Sequence, residues 1–259
     1  MSAAATRDER LTIAAARALR DGQWCFVGIG LPSAAANLAR RLHAPNLVLV
    51  YESGTIGSKP EYLPLSIGDG ELAETADVVV SVPEIFAYWL QAGRIDVGFL
   101  GAAQVDRFGN LNSTVIGPWK TPTVRLPGAG GAPEIAAHAG EVIVLARHDP
   151  RTLVGRLDFT TTAGFLDGGD ARERAGLRGR GPTRVFTDLG LLEPDPVTRE
   201  LTLTAVQPGV DAAEIPGRTG WPLRIASPLR VMEPATSHEL AVLRELKART
   251  ARAHGRTER

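Results

Sequence analysis

One acidic residue offers the strongest chemistry in this sequence. Glu52 stands in Tyr51-Glu52-Ser53-Gly54, directly after the apolar run Leu47–Val50. A carboxylate at the C-terminal end of a buried strand lies where open α/β sheets bind ligands. Gly54 lets the backbone turn sharply and lets a bulky ligand approach. In a partly apolar site such a carboxylate loses hydration and becomes a stronger nucleophile than in water. Taken alone, it could equally cap a turn or form an ion pair.

A second pattern competes for the same residue. Gly28-Ile29-Gly30 follows the apolar run Trp24–Val27, and Glu52 lies roughly 20 residues on, where a dinucleotide-binding unit places its ribose-binding acid. Two residues argue against that reading. Ser33 stands where the fingerprint needs a third glycine, and Pro32 removes an N–H that could face a pyrophosphate. The glycines then simply make a tight strand-to-helix turn.

Three further segments carry loop chemistry. Gly101-Ala102-Ala103-Gln104-Val105-Asp106 leads into Phe108-Gly109-Asn110-Leu111-Asn112-Ser113-Thr114. Next come Gly128-Ala129-Gly130-Gly131-Ala132 and then Thr160-Thr161-Thr162-Ala163-Gly164-Phe165-Leu166-Asp167-Gly168. Glycines make turns, and Asn and Ser form local backbone bonds. A Gly-rich loop can also aim consecutive N–H groups at a developing oxyanion.

The elements that must position these residues alternate. Helical spacing covers 8–21, 33–43 and 83–93; apolar runs predict strands at 24–27, 47–51, 77–82, 96–101 and 141–146. Strands apolar on both faces and separated by helices predict an α/β fold with a mainly parallel sheet flanked by helices. Beyond residue 150, strands are expected at 154–160, 184–187, 201–206 and 223–226, a more β-rich C-terminal third, closed by a helix over 237–253. The reading is one domain over 1–259.

Bulk properties exclude several functions. Lys+Arg and Asp+Glu both number 29, so no net charge steers the chain to nucleic acid or an anionic membrane. The single cysteine, Cys25, rules out a disulfide framework and suits a reducing compartment. The charged N-terminus does not read as a signal peptide, and no apolar run approaches the roughly 20 residues of a membrane span. A cytoplasmic protein is expected. The five histidines, at 43, 138, 148, 238 and 254, lack metal-ligand spacing, so no metal is expected. The basic tail from Lys247 to Arg259 reads as a solvated helix end.

The ordered set of motifs resembles the β subunit of the class I CoA-transferases, closest to glutaconate CoA-transferase. It runs from Val27-Gly28-Ile29-Gly30-Leu31-Pro32 through Glu52-Ser53-Gly54, Ala103-Gln104-Val105-Asp106, Gly109-Asn110-Leu111-Asn112-Ser113-Thr114 and the Gly128 loop to Thr187-Asp188-Leu189-Gly190. The resemblance accounts for the early glycines and the acid together, and so displaces the dinucleotide reading. It implies that Glu52 attacks an acyl-CoA thioester, giving an acyl-glutamyl anhydride and then a glutamyl-CoA thioester, from which CoA passes to a second carboxylate. It implies Gly128, Gly130 and Gly131 as the oxyanion and CoA-binding loop, with the Gly130 or Gly131 amide as donor. It also implies CoA as a substrate, no tightly bound cofactor, and a related α subunit in an α2β2 heterotetramer.

Within that resemblance Gln104, Asn110, Asn112 and Ser113 are candidates to line the acyl pocket and bond a substrate carboxylate; alternatively they only brace the loop. Arg172 and Arg174 could reach a carboxylate or a CoA phosphate, or be solvated or at a subunit interface. The expected substrate acid is a dicarboxylate such as glutaconate, or a 3-oxo acid. The competing functions are an acyl-CoA or ring-cleaving hydrolase on the same scaffold, a non-catalytic ligand-binding subunit, and a dinucleotide-binding oxidoreductase.

Overall fold

The computed structural model describes residues 4–255. Within the chain, which the sequence reading treats as one domain, packing groups the residues into two compact units: Met1–Phe99 with Pro234–Arg259, and Leu100–Glu233.

The first unit begins with helix α1 (Arg7–Arg17), started by a capping box in which the Thr6 hydroxyl accepts from the Glu9 amide and the Glu9 carboxylate accepts from the Thr6 amide. Strand β1 (Trp24–Phe26) leads to α2 (Leu31–Leu42), whose Ala34, Ala35, Ala36 and Ala39 are buried. Strand β2 (Val48–Val50) pairs in parallel with β1, and β3 (Thr55–Ile56) returns antiparallel to β2. Helix α3 (Gly70–Glu74) precedes β4 (Val78–Val79), which pairs antiparallel with β3. The short α4 (Val82–Glu84) continues into a π-helical turn over Ile85–Leu90. Strand β5 (Val97–Gly101) then pairs in parallel with β1. The C-terminal helix Ser237–Ala253 packs on α1 and α2.

Ion pairs fasten that last helix. Arg17 donates to Glu239 at 2.6 and 2.7 Å, and Arg244 donates to Glu9 at 2.7 and 3.1 Å. The Arg244 hydrogen bonds hold the Glu9 carboxyl at about 2, overriding burial. Burial pushes Glu239 up, yet bonds from Arg17 and the Thr236 cap bring it to about 2.

The second unit opens with two small hairpins: β6 (Gln104–Val105) with β7 (Leu111–Asn112), and β8 (Val115–Ile116) with β9 (Val124–Arg125). Helix α5 (Ala132–His138) follows the glycine loop and precedes β10 (Glu141–Ala146), buried along its whole length. After α6 (Ala171–Arg174), β11 (Pro182–Thr187) pairs in parallel with β10. β12 (Gly190–Pro194) and β13 (Leu201–Val206) add antiparallel, and β14 (Arg224–Val231) pairs in parallel with β13.

The α/β class and the β-rich final third therefore hold, with three departures. No strand forms over 154–160: isolated bridges to the β6–β7 hairpin flank it at Leu153 and Thr162, and between them Asp158 meets Gln104 through side-chain hydrogen bonds rather than strand pairing, where Gly155 and Asp158 interrupt the alternation. The strand expected at 77–82 contracts to two exposed residues, because Ser81 caps the next helix and Pro83 lies in its first turn. The helix expected over 83–93 is π-helical for most of its length, with Gln91 bonded back to Phe86 and Arg94 to Trp89. That register lets Trp89 stack on Trp24 at 5.1 Å while Phe86 meets Phe26 at 5.8 Å. The basic tail lies outside the described residues beyond Gly255.

Candidate functional site

Glu52 occupies a tight turn between β2 and β3. The Gly54 amide donates to Tyr51 O at 3.0 Å, and Tyr51 N donates to Thr55 O at 3.0 Å, which leaves Glu52 and Ser53 as the two residues of the tip. Gly54 has φ +99°, and a Cβ there would collide with the Val80 carbonyl oxygen, so no other residue fits. Val80 N in turn donates to Gly54 O at 2.9 Å. The half-buried Glu52 side chain is thus carried on a backbone with little freedom.

The residues beneath the turn are polar and buried. Tyr51 is fully buried with its hydroxyl 3.1 Å from Ser33 Oγ, and burial pushes the phenol up to about 12. Asn37 Nδ2 donates to Ser33 O at 3.0 Å. Ser53 Oγ, Thr55 Oγ1 and Asn37 Oδ1 are buried without a hydrogen-bond partner among the described residues. Such atoms are costly to leave unmet.

This geometry also bears on the dinucleotide alternative. Gly30 adopts φ +82° and starts α2 with Pro32 in the first turn, as a tight strand-to-helix turn requires. Ser33, in place of the third glycine, is fully buried and bonded to the Tyr51 hydroxyl.

The remaining candidates lie in the second unit, where the fold brings them together. Asn112 Nδ2 donates to Gln104 Oε1 at 2.8 Å and Val115 O at 2.7 Å, while its Oδ1 accepts from Thr114 N at 3.0 Å. Gln104 Nε2 donates to Asp158 Oδ2 at 2.9 Å. Asn110 makes four bonds, to Asp106 Oδ2, Leu166 O, Gly164 N and Leu166 N, all between 2.8 and 3.0 Å. Burial pushes the Asp106 carboxyl upward, although Asn110 and the Phe108 amide bond to it. Ser113 Oγ donates to Gly128 O at 2.8 Å, and Gly128 N donates to Ser113 O at 2.9 Å.

That clamp commits the Gly128 amide to Ser113. The amide of exposed Gly130, at φ +49°, bonds to no acceptor among the described residues, and Gly131 caps α5. Asp158, which the sequence reading did not single out, and Thr161, which it named only within the Thr160–Gly168 segment, both join this network; Thr161 Oγ1 accepts from Ser113 N at 3.0 Å. Only its place between two glycine-rich segments could have signalled Asp158.

Among the described residues, Arg172 reaches no carboxylate. It is buried and donates to four backbone carbonyls, those of Ala136, Gly164, Arg178 and Gly179. Arg174 pairs with Asp170 on the surface. His148 is buried between the hydroxyls of Thr187 and Thr219, and burial lowers it to about 4. Among the described residues no group of three His, Cys, Asp or Glu side chains could hold a metal ion, and no helix is long and apolar enough to cross a membrane.

Comparison with known proteins converges on one family. The coenzyme A transferase family profile matches residues 8–216. The chain is 57% identical to the β subunit of 3-oxoadipate CoA-transferase from Pseudomonas knackmussii over 98% of each chain. It is 34% identical to the β subunit of glutaconate CoA-transferase from Acidaminococcus fermentans over 88% of each. The crystal structure of the Acidaminococcus enzyme superimposes with a TM-score of 0.87 at 31% identity, covering 93% of this chain and 94% of that one. CoA is a substrate of such enzymes, and the transfer of CoA between an acyl-CoA and a carboxylic acid follows for this one. The chain belongs to the coenzyme A transferase family.

Proposed function

We propose that Glu52 is the covalent catalytic group of this transferase and that its acid substrate is a 3-oxo dicarboxylate of the 3-oxoadipate type. The observation that carries the first part is the Tyr51–Gly54 turn. It presents one carboxylate on a backbone locked by Gly54, above buried hydroxyls whose hydrogen-bonding capacity is uncommitted. A carboxylate is a modest nucleophile toward a thioester, so it gains from being held in place with partial loss of water. Attack of Glu52 on the acyl carbon expels CoA thiolate and leaves a mixed anhydride. The thiolate then attacks the glutamyl carbonyl and releases the donor acid, giving a glutamyl-CoA thioester. The acceptor carboxylate repeats these steps in reverse and restores Glu52.

The substrate assignment rests on the 57% identity to the 3-oxoadipate enzyme, against 34% for the glutaconate one. Within the second unit, the Gly130 amide is the donor we assign to CoA or an oxyanion, with Gly131 as its helix cap and Gly128 as its anchor. Gln104, Asn110, Asn112 and Ser113 serve as positioning residues, because their hydrogen bonds close on the loop itself. Both relatives named above are single subunits of larger enzymes, which supports an assembly of this chain, as one functional domain, with a related α subunit in an α2β2 heterotetramer. The buried, unpaired Cys25 suits a cytoplasmic enzyme.

Steady-state kinetics with 3-oxoadipate and glutaconate as rival acceptors test this reading. Parallel double-reciprocal plots, with kcat/KM favouring 3-oxoadipate, are expected. Intersecting plots, or release of free CoA without an acceptor, would point to direct transfer or to hydrolysis instead.

A further inference from the structure

Gly54 and Val80 hold the Glu52 turn within the sheet. The side chain of Tyr51, the residue before Glu52, ties the same turn to helix α2. Val50 pairs with Ile56, so Tyr51 lies opposite Thr55 and both side chains leave one face of the hairpin. On α2, Ser33 and Asn37 stand one turn apart and share a face of the helix, whose other buried residues are Pro32, alanines and Leu38. The Tyr51 hydroxyl lies 3.1 Å from Ser33 Oγ. Asn37 Nδ2 donates to that oxygen at 3.4 Å and to Ser33 O at 3.0 Å.

Packing alone does not call for this set. Phenylalanine at position 51 would fill the same space without burying a hydroxyl, and Asn37 keeps a buried Oδ1 with no partner among the described residues. Apolar contact is non-directional, whereas a hydrogen bond weakens steeply when its donor and acceptor fall out of line. A rigid phenol bonded at its far end therefore fixes where the Tyr51 backbone stands, and Glu52 is joined to it by one planar peptide unit.

We infer that Tyr51 is a positioning residue for Glu52: its bond to Ser33, backed by Asn37, holds the carboxylate in line with the acyl carbon it attacks. The inference rests on Glu52 being the nucleophile. Misplacing a reacting group by about 1 Å can cost roughly 100-fold in rate, far more than one neutral hydrogen bond contributes to folding.

Rapid quench of the enzyme, assembled with its partner subunit, after mixing with acyl-CoA tests it, peptide mass analysis giving the rate at which Glu52 is modified. Tyr51→Phe is expected to slow modification roughly 10- to 100-fold, while the acyl-CoA concentration that half-saturates the rate changes by less than about twofold. Its unfolding midpoint should fall by no more than about 4 °C. Ser33→Ala, which deprives the phenol of its partner, should slow the step to a similar extent. The double variant should be no slower than the slower single one, because both substitutions break the same bond. An unchanged rate in Tyr51→Phe overturns the inference, as does a loss that matches the unfolded fraction, or factors that multiply in the double variant. In each of those cases Glu52 is still modified in the unaltered enzyme. Absence of that modification overturns the nucleophile assignment itself, and this inference with it.

Discussion

The Glu52 turn and the Gln104–Ser113 loop contain similar residue types but differ in how their hydrogen bonds are spent. In the loop, Asn110 and Asn112 use both ends of their amides on neighbours, and Ser113 closes a reciprocal clamp on Gly128. Around Glu52, three buried oxygens find no partner among the described residues, while the backbone that carries the carboxylate is fixed by a glycine that admits no side chain. On the proposed assignment, saturation goes with scaffold and held capacity on a rigid frame with chemistry. Residue type alone does not separate the two.

Substitutions break this comparison at different strengths. The largest effect is expected for Glu52→Gln, which should lower kcat by roughly 10⁴-fold or more while chemical unfolding shifts by less than about 1 kcal/mol. A similar loss of activity with collapsed stability would return Glu52 to a structural role. Next is Gly54→Ala, where the positive φ and the collision with Val80 O should cost about 3 kcal/mol in urea unfolding. In the loop, Asn112→Ala strands Gln104 Oε1 and Val115 O and should cost about 2 kcal/mol, with activity falling in proportion to folded protein. Full stability with lost activity in that variant would instead make Asn112 a substrate contact.

The smallest effect isolates the helices from both regions. Glu9 is held at about 2 against an ordinary value near 4.5, so its Arg244 pair adds stability that is complete above about pH 4.5 and lost as pH falls toward 2. Glu9→Gln should therefore lower stability at pH 7 by about 1–2 kcal/mol and flatten the acid limb between those values. Unchanged acid unfolding would show that other carboxylates set that limb.

These contrasts also explain what could be read from the sequence. The fully buried strand Glu141–Ala146, the alternating strand Leu201–Val206 and the capped helix Ser237–Ala253 have the bounds their patterns predict. The π-helical register of Ile85–Leu90 was not legible, because it is set by the fit of Trp89 and Phe86 to Trp24 and Phe26, which tertiary packing alone decides. The loop over 154–160 reads as a strand from Val154, Leu157 and Phe159, yet Leu157 and Phe159 face a cavity or a ring stack rather than a sheet. Glu52 is singled out by strand-end position and Gly54, both local signals. The saturation of Asn110 and Asn112 depends on partners as distant in sequence as Leu166 and Thr161, and could only be seen folded.

The most direct measurement is peptide mass analysis of the enzyme after incubation with acyl-CoA and trapping with hydroxylamine or borohydride. The account predicts a single modified peptide, with the altered mass at Glu52 and no modification in Glu52→Gln. An unmodified Glu52 in an enzyme that still transfers CoA would contradict it.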